Sequence, residues 1–354
     1  MINKQPINTA ILAYGMSGEV FHAPLISAHP GFSLRKIMER SSDKAVKRYP
    51  GVETVRKMED ILSDASIELV IVNTPHDLHY EHARQVIEAQ KHLVIEKPFS
   101  TTLEEGSQLT ALAKKHDVKL SIFQNRRWDG DFMTVQRVVS SGLLGPIVEF
   151  EAHYDRYRPV VDTKTWKERA GKGAGSLFNL GPHMIDQALV LFGMPERLDS
   201  RLMVQRPGGS AEDFYDIRMI YSSGLHVILK SSYLVREPGP RYVLHGVNGS
   251  FVKYGLDPQE QALKDRVTPG STGWGVEPRH DWGKINTNYP GDLAVSGEVE
   301  TIPGNYLLFY ENIYAAIRDG APLAVTPEQA MDIQCVMDAC IESNSKGVSV
   351  KVQR

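Results

Sequence analysis

Apolar positions change rhythm part-way along the chain. Up to Phe123, short β-branched runs alternate with stretches of helical spacing. The runs are Ile7–Tyr14, Ser33–Met38, Glu68–Val72, His92–Ile95 and Lys119–Phe123. Near-continuous apolar runs of this length fit strands buried in a parallel sheet. Between them, Ala83, Val86 and Ile87 mark one helix, and Leu103, Leu109, Leu112 and Ala113 another. The second opens on Thr101-Thr102-Leu103-Glu104-Glu105, a helix-capping signal. Strand–helix alternation of this kind predicts right-handed βαβ units and a doubly wound sheet.

Beyond Phe123 the period shortens to two. In Ile147–Asp155, Val148, Phe150, Ala152 and Tyr154 share one face, and Glu149, Glu151, His153 and Asp155 the other. This is the pattern of a half-buried antiparallel strand. Leu198–Arg206, Asp213–Tyr221, His226–Tyr233, Arg241–His245 and Ser250–Tyr254 continue the series, with an Asn248-Gly249 hairpin between the last two. So wide a sheet needs a cover, and one face is expected to meet a second subunit. Two helices close the chain. Tyr306, Phe309, Tyr310, Ile313 and Ile317 form the stripe of the first; the second opens on Thr326-Pro327-Glu328-Gln329 and ends before Gly347. The expected fold class is α/β, with a doubly wound parallel sheet over residues 1–123. An α+β domain with a large open, mostly antiparallel sheet follows over 124–354.

A length of 354 residues agrees with two domains. With 42% hydrophobic and 23% charged residues, the composition is that of a soluble globular protein. No apolar run approaches the roughly 20 residues of a membrane span, and Met1–Pro6 lacks a signal-peptide pattern. The two cysteines, Cys335 and Cys340, lie on one predicted helix and point to a reducing cytoplasm. A net charge of −3 argues against a nucleic-acid partner. Twelve scattered histidines without ligand spacing argue against a metal.

Candidate chemistry gathers at the carboxyl ends of the predicted parallel strands, where open α/β sheets bind their ligands. After the first strand, Ala13-Tyr14-Gly15-Met16-Ser17-Gly18 resembles the Gly-x-Gly-x-x-Gly dinucleotide turn, with Ala13 in place of the first glycine. Gly15 would admit a pyrophosphate against the backbone, and Gly18 close helix–strand packing. Pro24 predicts a kink or restart of the helix near Ala23. About 20 residues on, Glu39 holds the position of a ribose-binding acid and favours NAD. Arg40, Ser41 and Ser42 beside it suit a 2′-phosphate and favour NADP, and a solvated turn is the plain alternative. The fourth strand ends in Thr74-Pro75-His76-Asp77-Leu78-His79, beside the place of a nicotinamide. The His92–Ile95 strand ends in Glu96-Lys97-Pro98, which aims Lys97 into the same crevice; a solvated strand-end lysine is the bland reading.

In the second domain, Leu177-Phe178-Asn179-Leu180-Gly181-Pro182-His183 is read as leading into a helix whose buried stripe is Ile185, Ala188, Leu189 and Phe192. His183 in its first turn, three residues from Asp186, could serve as acid or base, or make an ordinary structural hydrogen bond. Two strings dense in donors and aromatics, Gln124-Asn125-Arg126-Arg127-Trp128-Asp129 and Tyr154-Asp155-Arg156-Tyr157-Arg158-Pro159, could line a polyhydroxylated substrate or form surface ion pairs. Trp166 and Trp274 are expected to pack.

Together these motifs resemble the Gfo/Idh/MocA oxidoreductases. The likeness runs over essentially the whole chain, through Ala13–Gly18 with Glu19-Val20-Phe21-His22-Ala23-Pro24-Leu25, Thr74-Pro75 with His79, Gln90-Lys91-His92 into Glu96-Lys97-Pro98, and Gly173–Asp186. The strings Asn125–Asp129 and Asp155–Pro159 look most similar to the NADP-dependent scyllo-inositol dehydrogenase branch. The resemblance implies a Rossmann domain, an NAD(P) cofactor with a leaning to NADP, and a homodimer or dimer of dimers. It also implies reversible hydride transfer at a hydroxyl-bearing carbon of a polyol or sugar. Gly15, Met16, Ser17, Gly18, Glu39, Arg40, Ser41, Thr74, Pro75, His79, Glu96 and Lys97 would meet the cofactor. Lys97 and His183 would be catalytic; Asn125, Arg127, Trp128, Tyr157, Arg158, Asn179 and Asp186 would face substrate. Asn179 departs from the family, which usually has an aspartate there, and an amide cannot carry charge or a proton. Two other readings stay open: a non-catalytic NAD(P)-binding sensor, and a lyase or glycosidase that uses bound NAD transiently.

Overall fold

The computed structural model describes residues 5–162, 168–169, 171, 173–289 and 293–353; Trp166 lies outside them. The chain forms two compact units, and each is built from more than one segment.

The first unit holds a six-stranded parallel sheet: β1 (Ile7–Ile11), β2 (Phe32–Met38), β3 (Glu53–Val55), β4 (Leu69–Val72), β5 (His92–Ile95) and β6 (Leu120–Ile122). Its order, β3-β2-β1-β4-β5-β6, is that of a Rossmann domain, with the switch point between β1 and β4. Every residue of β4 is buried, as continuous apolar strands require. β3 escapes a reading of the sequence because its three residues include Glu53 and Thr54. Pro24 acts as expected: a π-helical turn, Gly18–His22, gives way to an α-helix, Ala23–Ala28.

The unit ends at Trp128, five residues past Phe123, and takes in Pro258–Gly275 and Asn305–Met331. The change of rhythm gave no sign of these returning segments. Their attachment is apolar and ionic. The helix Leu307–Arg318 buries Phe309, Tyr310 and Ile313, and Phe309 meets Phe123 edge-on at 5.0 Å. Arg318 grips both carboxylate oxygens of Glu68 at 2.7 and 2.8 Å. Trp274 packs as expected, its indole N–H donating to Gln259 Oε1 at 3.0 Å.

The second unit holds a nine-stranded sheet: β7 (Ile147–His153), β8 (Arg197–Met203), β9 (Phe214–Ile220), β10 (His226–Ser232), β11 (Tyr242–Gly246), β12 (Gly249–Lys253), β13 (Gly283–Tyr289), β14 (Leu293–Val299) and β15 (Val350–Lys351). Neighbours run antiparallel except β7 and β10, so β7, expected to be antiparallel, is so only toward β11. Phe150, Ala152, Tyr242, Leu244 and Phe251 line the buried face, together with Leu180, Met184 and Ile185 of the helix Gly175–Phe192. Val148, read as part of that face, is 45% exposed. Strand β14 is exposed along nearly its whole length, whereas β13 alternates, with Ile285 and Thr287 turned inward and Lys284, Asn286 and Asn288 exposed. The most fully enclosed ion pair described in this unit joins Lys253 Nζ to Glu277 Oε2 at 2.6 Å, with side-chain exposures of 0% and 1%.

Candidate active site

At the carboxyl end of β1 the glycine turn is braced by Asn73, the first residue after β4. Its side chain accepts the Ala13 N–H at 2.9 Å and donates to the Ala13 carbonyl at 2.7 Å. A Cβ on Gly18 would stand 2.1 Å from the Ala13 carbonyl oxygen, so only glycine lets this helix start so close to the strand. A Cβ on Gly15 would meet nothing within 4 Å. Gly15 and Met16 are exposed and Ser17 half-buried. This open backbone at a helix N-terminus fits the pyrophosphate of a dinucleotide, and Ala13 in place of the first glycine does not close it.

At the end of β2, Glu39 is buried. Its carboxylate accepts the backbone N–H of Ala45 at 2.7 Å and of Lys44 at 3.1 Å, and the hydroxyl of Ser42. Arg56 donates to the Glu39 and Ser42 carbonyls at 2.7 and 2.6 Å, closing the turn from outside. Arg40 and Ser41 are left exposed.

Two further strand ends are tied together by His79. Its Nδ1 lies 2.8 Å from the Pro98 carbonyl and its Nε2 2.9 Å from the Thr74 carbonyl. The ring is 1% exposed, and burial lowers its pKa although both carbonyl bonds oppose the shift. Thr74 is half-buried, its hydroxyl 3.0 Å from His82 Nδ1, and Pro75 is exposed. Glu96 extends the sheet by one bond, its N–H donating to the Val72 carbonyl at 2.9 Å. Its Oε2 accepts the Lys97 N–H at 3.1 Å, and its Oε1 meets His22 Nε2 at 3.1 Å. Lys97 is half-buried and precedes a cis peptide to Pro98. His22, with Tyr310 on its other nitrogen at 2.7 Å, was not singled out from the sequence.

The Asn125–Trp128 turn is occupied structurally. Arg127 donates to the Ala324 carbonyl at 2.5 Å and to Gln329 at 3.1 Å, and Trp128 packs edge-on against Phe309 at 5.6 Å. Asn125 is buried, and Arg126 is paired with Glu260.

In the second unit the helix starts earlier than expected. It runs Gly175–Phe192 with Pro182 inside, so His183 is well within it rather than in its first turn. Burial of Leu177, Leu180, Met184 and Ile185 offsets the cost of the proline. His183 and Asp186 are 8% and 2% exposed. Asn179 lies one turn before His183 on the same face, and its amide donates to the Tyr233 hydroxyl at 3.3 Å. Tyr233 in turn lies under the Arg206 guanidinium at 4.9 Å. Arg206 bonds Asp213 at 2.8 Å, Glu168 at 3.1 Å and the Arg158 carbonyl at 3.2 Å, holding the segment that exposes Tyr157 and Arg158. The helix N-terminus faces Glu212: a Cβ on Gly175, whose φ is +89°, would overlap its carboxyl group at 2.1 Å. Burial raises the Glu212 pKa to about 7, against the pull of its own and Leu177's backbone N–H groups, with Asp213 adding repulsion.

The same two-part arrangement is found in known proteins. The pattern of an oxidoreductase-family NAD-binding Rossmann fold matches residues 7–124, and that of the family's C-terminal alpha/beta domain matches 136–352. The chain belongs to the Gfo/Idh/MocA oxidoreductase family. Scyllo-inositol 2-dehydrogenase (NADP(+)) IolW of Bacillus subtilis is 39% identical over 350 residues, 98% of this chain and 96% of that protein. The uncharacterized oxidoreductase YdgJ of Escherichia coli is 37% identical, over 95% of this chain and 96% of its own. Among solved structures, yvaA of Bacillus subtilis superposes with a TM-score of 0.94 at 38% identity, covering 99% of both chains. An oxidoreductase of this family with an NAD(P)-binding Rossmann domain is thus established. No helix among the described residues is long and apolar enough to cross a membrane.

Proposed function

We propose that this oxidoreductase is an NADP-preferring dehydrogenase that oxidises a secondary hydroxyl of a cyclitol or sugar, scyllo-inositol being the type substrate. The observation that carries the reading is the likeness to scyllo-inositol 2-dehydrogenase, which extends over 98% of this chain. The Gly15–Gly18 backbone holds the dinucleotide phosphates, Thr74, Pro75 and Glu96 lie toward the nicotinamide end, and His79 fixes the loops that present them. Glu39 is used up on a helix N-terminus, which leaves Arg40 and Ser41 for a 2′-phosphate and supports NADP over NAD. The bound cofactor supplies the hydride acceptor.

His183 is the residue suited to take the proton of a reacting hydroxyl, and Lys97 the one suited to donate a hydrogen bond to an oxygen on which negative charge develops. Asn179 cannot take part in proton transfer; held by Tyr233, it serves as a hydrogen-bond partner for substrate hydroxyls together with Asp186, Tyr157 and Arg158. Arg127 and Trp128 also hold Ala324, Gln329 and Phe309, so Asn125 is the substrate-facing candidate of that turn with no such fastening contact among the described residues. Pairing of two copies through the nine-stranded sheet, in a reducing cytoplasm, completes the reading; Cys335 and Cys340 are both free and buried, as such a compartment allows.

Initial rates with NADP and NAD against inositols and aldoses test it. Reduction of NADP by a cyclitol, faster than of NAD, is the expected result. Tight cofactor binding without turnover of any polyol would instead place the chain with the sensors, where Asn179 costs nothing.

A further inference from the structure

Two buried side chains of the first unit, Tyr310 and His22, and the half-buried Glu96 form a hydrogen-bonded line that ends beside Lys97. Tyr310 Oη lies 2.7 Å from His22 Nδ1, and His22 Nε2 lies 3.1 Å from Glu96 Oε1. His22 and Tyr310 are fully buried, with the Phe123 ring 4.4 Å from the imidazole. The second carboxylate oxygen, Oε2, accepts the backbone N–H of Lys97 at 3.1 Å. With Glu96 ionised and His22 neutral, one proton arrangement satisfies every member. The phenol O–H donates to Nδ1, and the Nε2 proton is donated to the carboxylate. The other tautomer would set an imidazole lone pair against a carboxylate in a water-poor interior. Glu96, which can only accept, therefore selects the tautomer, and Tyr310 completes it by donating to the nitrogen left without a proton, much as a buried partner fixes a catalytic histidine.

We infer that Tyr310 and His22 are positioning residues: they hold Glu96 as an oriented carboxylate, and through it they set the charge and backbone placement of Lys97. The inference rests on the role proposed for Lys97. Burial by itself raises the Glu96 pKa, but the hydrogen bond from His22 and the positive charge of Lys97 hold it below the usual value. The groups that face Glu96 are thus His22 from the π-helical turn, Lys97 on its own strand end, His79 from the helix His79–Glu88, and the phenol of Tyr310, whose own pKa burial and Glu96 raise. A carboxylate fixed next to Lys97 favours its ammonium form, the form that can donate to a developing alkoxide. A structural filler would need only the shape of the imidazole; a positioning residue also needs its two polar atoms.

The test reads Lys97 directly, without substrate. The full-length protein is acetylated with trace acetic anhydride across a pH series, and labelling of Lys97 is measured by mass spectrometry against a free-amine standard. His22→Phe and Glu96→Gln should lower the labelling midpoint of Lys97 by about one pH unit relative to wild type. Tyr310→Phe should lower it less, and His22→Gln, whose amide can donate to Glu96 and accept from Tyr310, should restore at least half of the wild-type midpoint. If His22→Phe does not fold, the Tyr310→Phe and His22→Gln pair decides. Midpoints unchanged in all folded variants would overturn the inference. The role of Lys97 fails separately: it falls if Lys97→Ala leaves turnover intact, whatever the labelling shows.

Discussion

The carboxylate of Glu39 accepts the backbone N–H of Ala45 at 2.7 Å, closing the start of the short helix Lys44–Arg48. An acid at this position reads from sequence as a ligand of the ribose 2′-hydroxyl, yet its oxygens are turned inward onto backbone N–H groups. On the proposed reading, exposed Arg40 then meets the 2′-phosphate. Arg40→Ala should weaken NADPH binding by about tenfold, the worth of a charge-assisted hydrogen bond, and change NADH binding less than twofold. Fluorescence titration of both nucleotides measures this; equal losses would remove Arg40 from the 2′-phosphate.

The two glycines of the turn should separate folding from binding. Gly18→Ala drives a methyl into the Ala13 carbonyl, so both the melting temperature and cofactor affinity should drop. Gly15→Ala meets open space, so its melting temperature should stay within about 2 °C of wild type, less than one kcal/mol for a domain of this size. Its affinity for NADPH should still fall, because the methyl occupies the approach to the phosphates.

Glu212 gives the helix that carries His183 a pH dependence. Its folded pKa of about 7 lies above the unfolded value. Its contribution to stability is therefore complete in acid, below about pH 4, and is lost as pH rises through neutrality. Glu212→Gln removes that loss. The variant should match wild type near pH 4 and exceed it near pH 8 by on the order of 1–2 kcal/mol, read from denaturant unfolding at each pH. A gap of the same size at both pH values would show that the carboxyl does not titrate there.

Lys253 and Glu277 should be costly to separate and cheap to replace. Lys253→Met leaves an enclosed carboxylate without its ammonium and should destabilise by about 3–5 kcal/mol. Adding Glu277→Leu should recover most of the loss, since an apolar pair of similar volume fits an apolar interior. Urea unfolding of the single and double variants checks it.

Much of this molecule could be seen in the order of its residues. Strands β1, β2, β4, β5 and β6 announce themselves as apolar runs, and the turn after β1 as a cofactor turn. Strand β3 was too short and too polar, and β14 too exposed, for a period to show; the alternation of β13 is carried by Ile285 and Thr287 alone. The helix around Pro182 begins earlier than its sequence reads because burial of its residues outweighs local propensity. The interactions that hold the candidate site were the least visible. His22 and Tyr310 are 288 positions apart, and nothing local marks either as the other's partner. Asn73 was visible only as one polar residue in a polar string; its clamp on Ala13 is a property of neighbouring strands. Arg127 and Trp128, read as ligand residues, also fasten a returning segment, a use of donors and aromatics that the string itself does not announce.

The account turns on Lys97, and single-turnover reduction of NADP by scyllo-inositol tests it most directly. Lys97→Ala should bind NADPH within about twofold of wild type and transfer hydride at least about a hundredfold more slowly, the usual worth of a positioned donor. Hydride transfer at the wild-type rate in a variant that binds cofactor normally would contradict it.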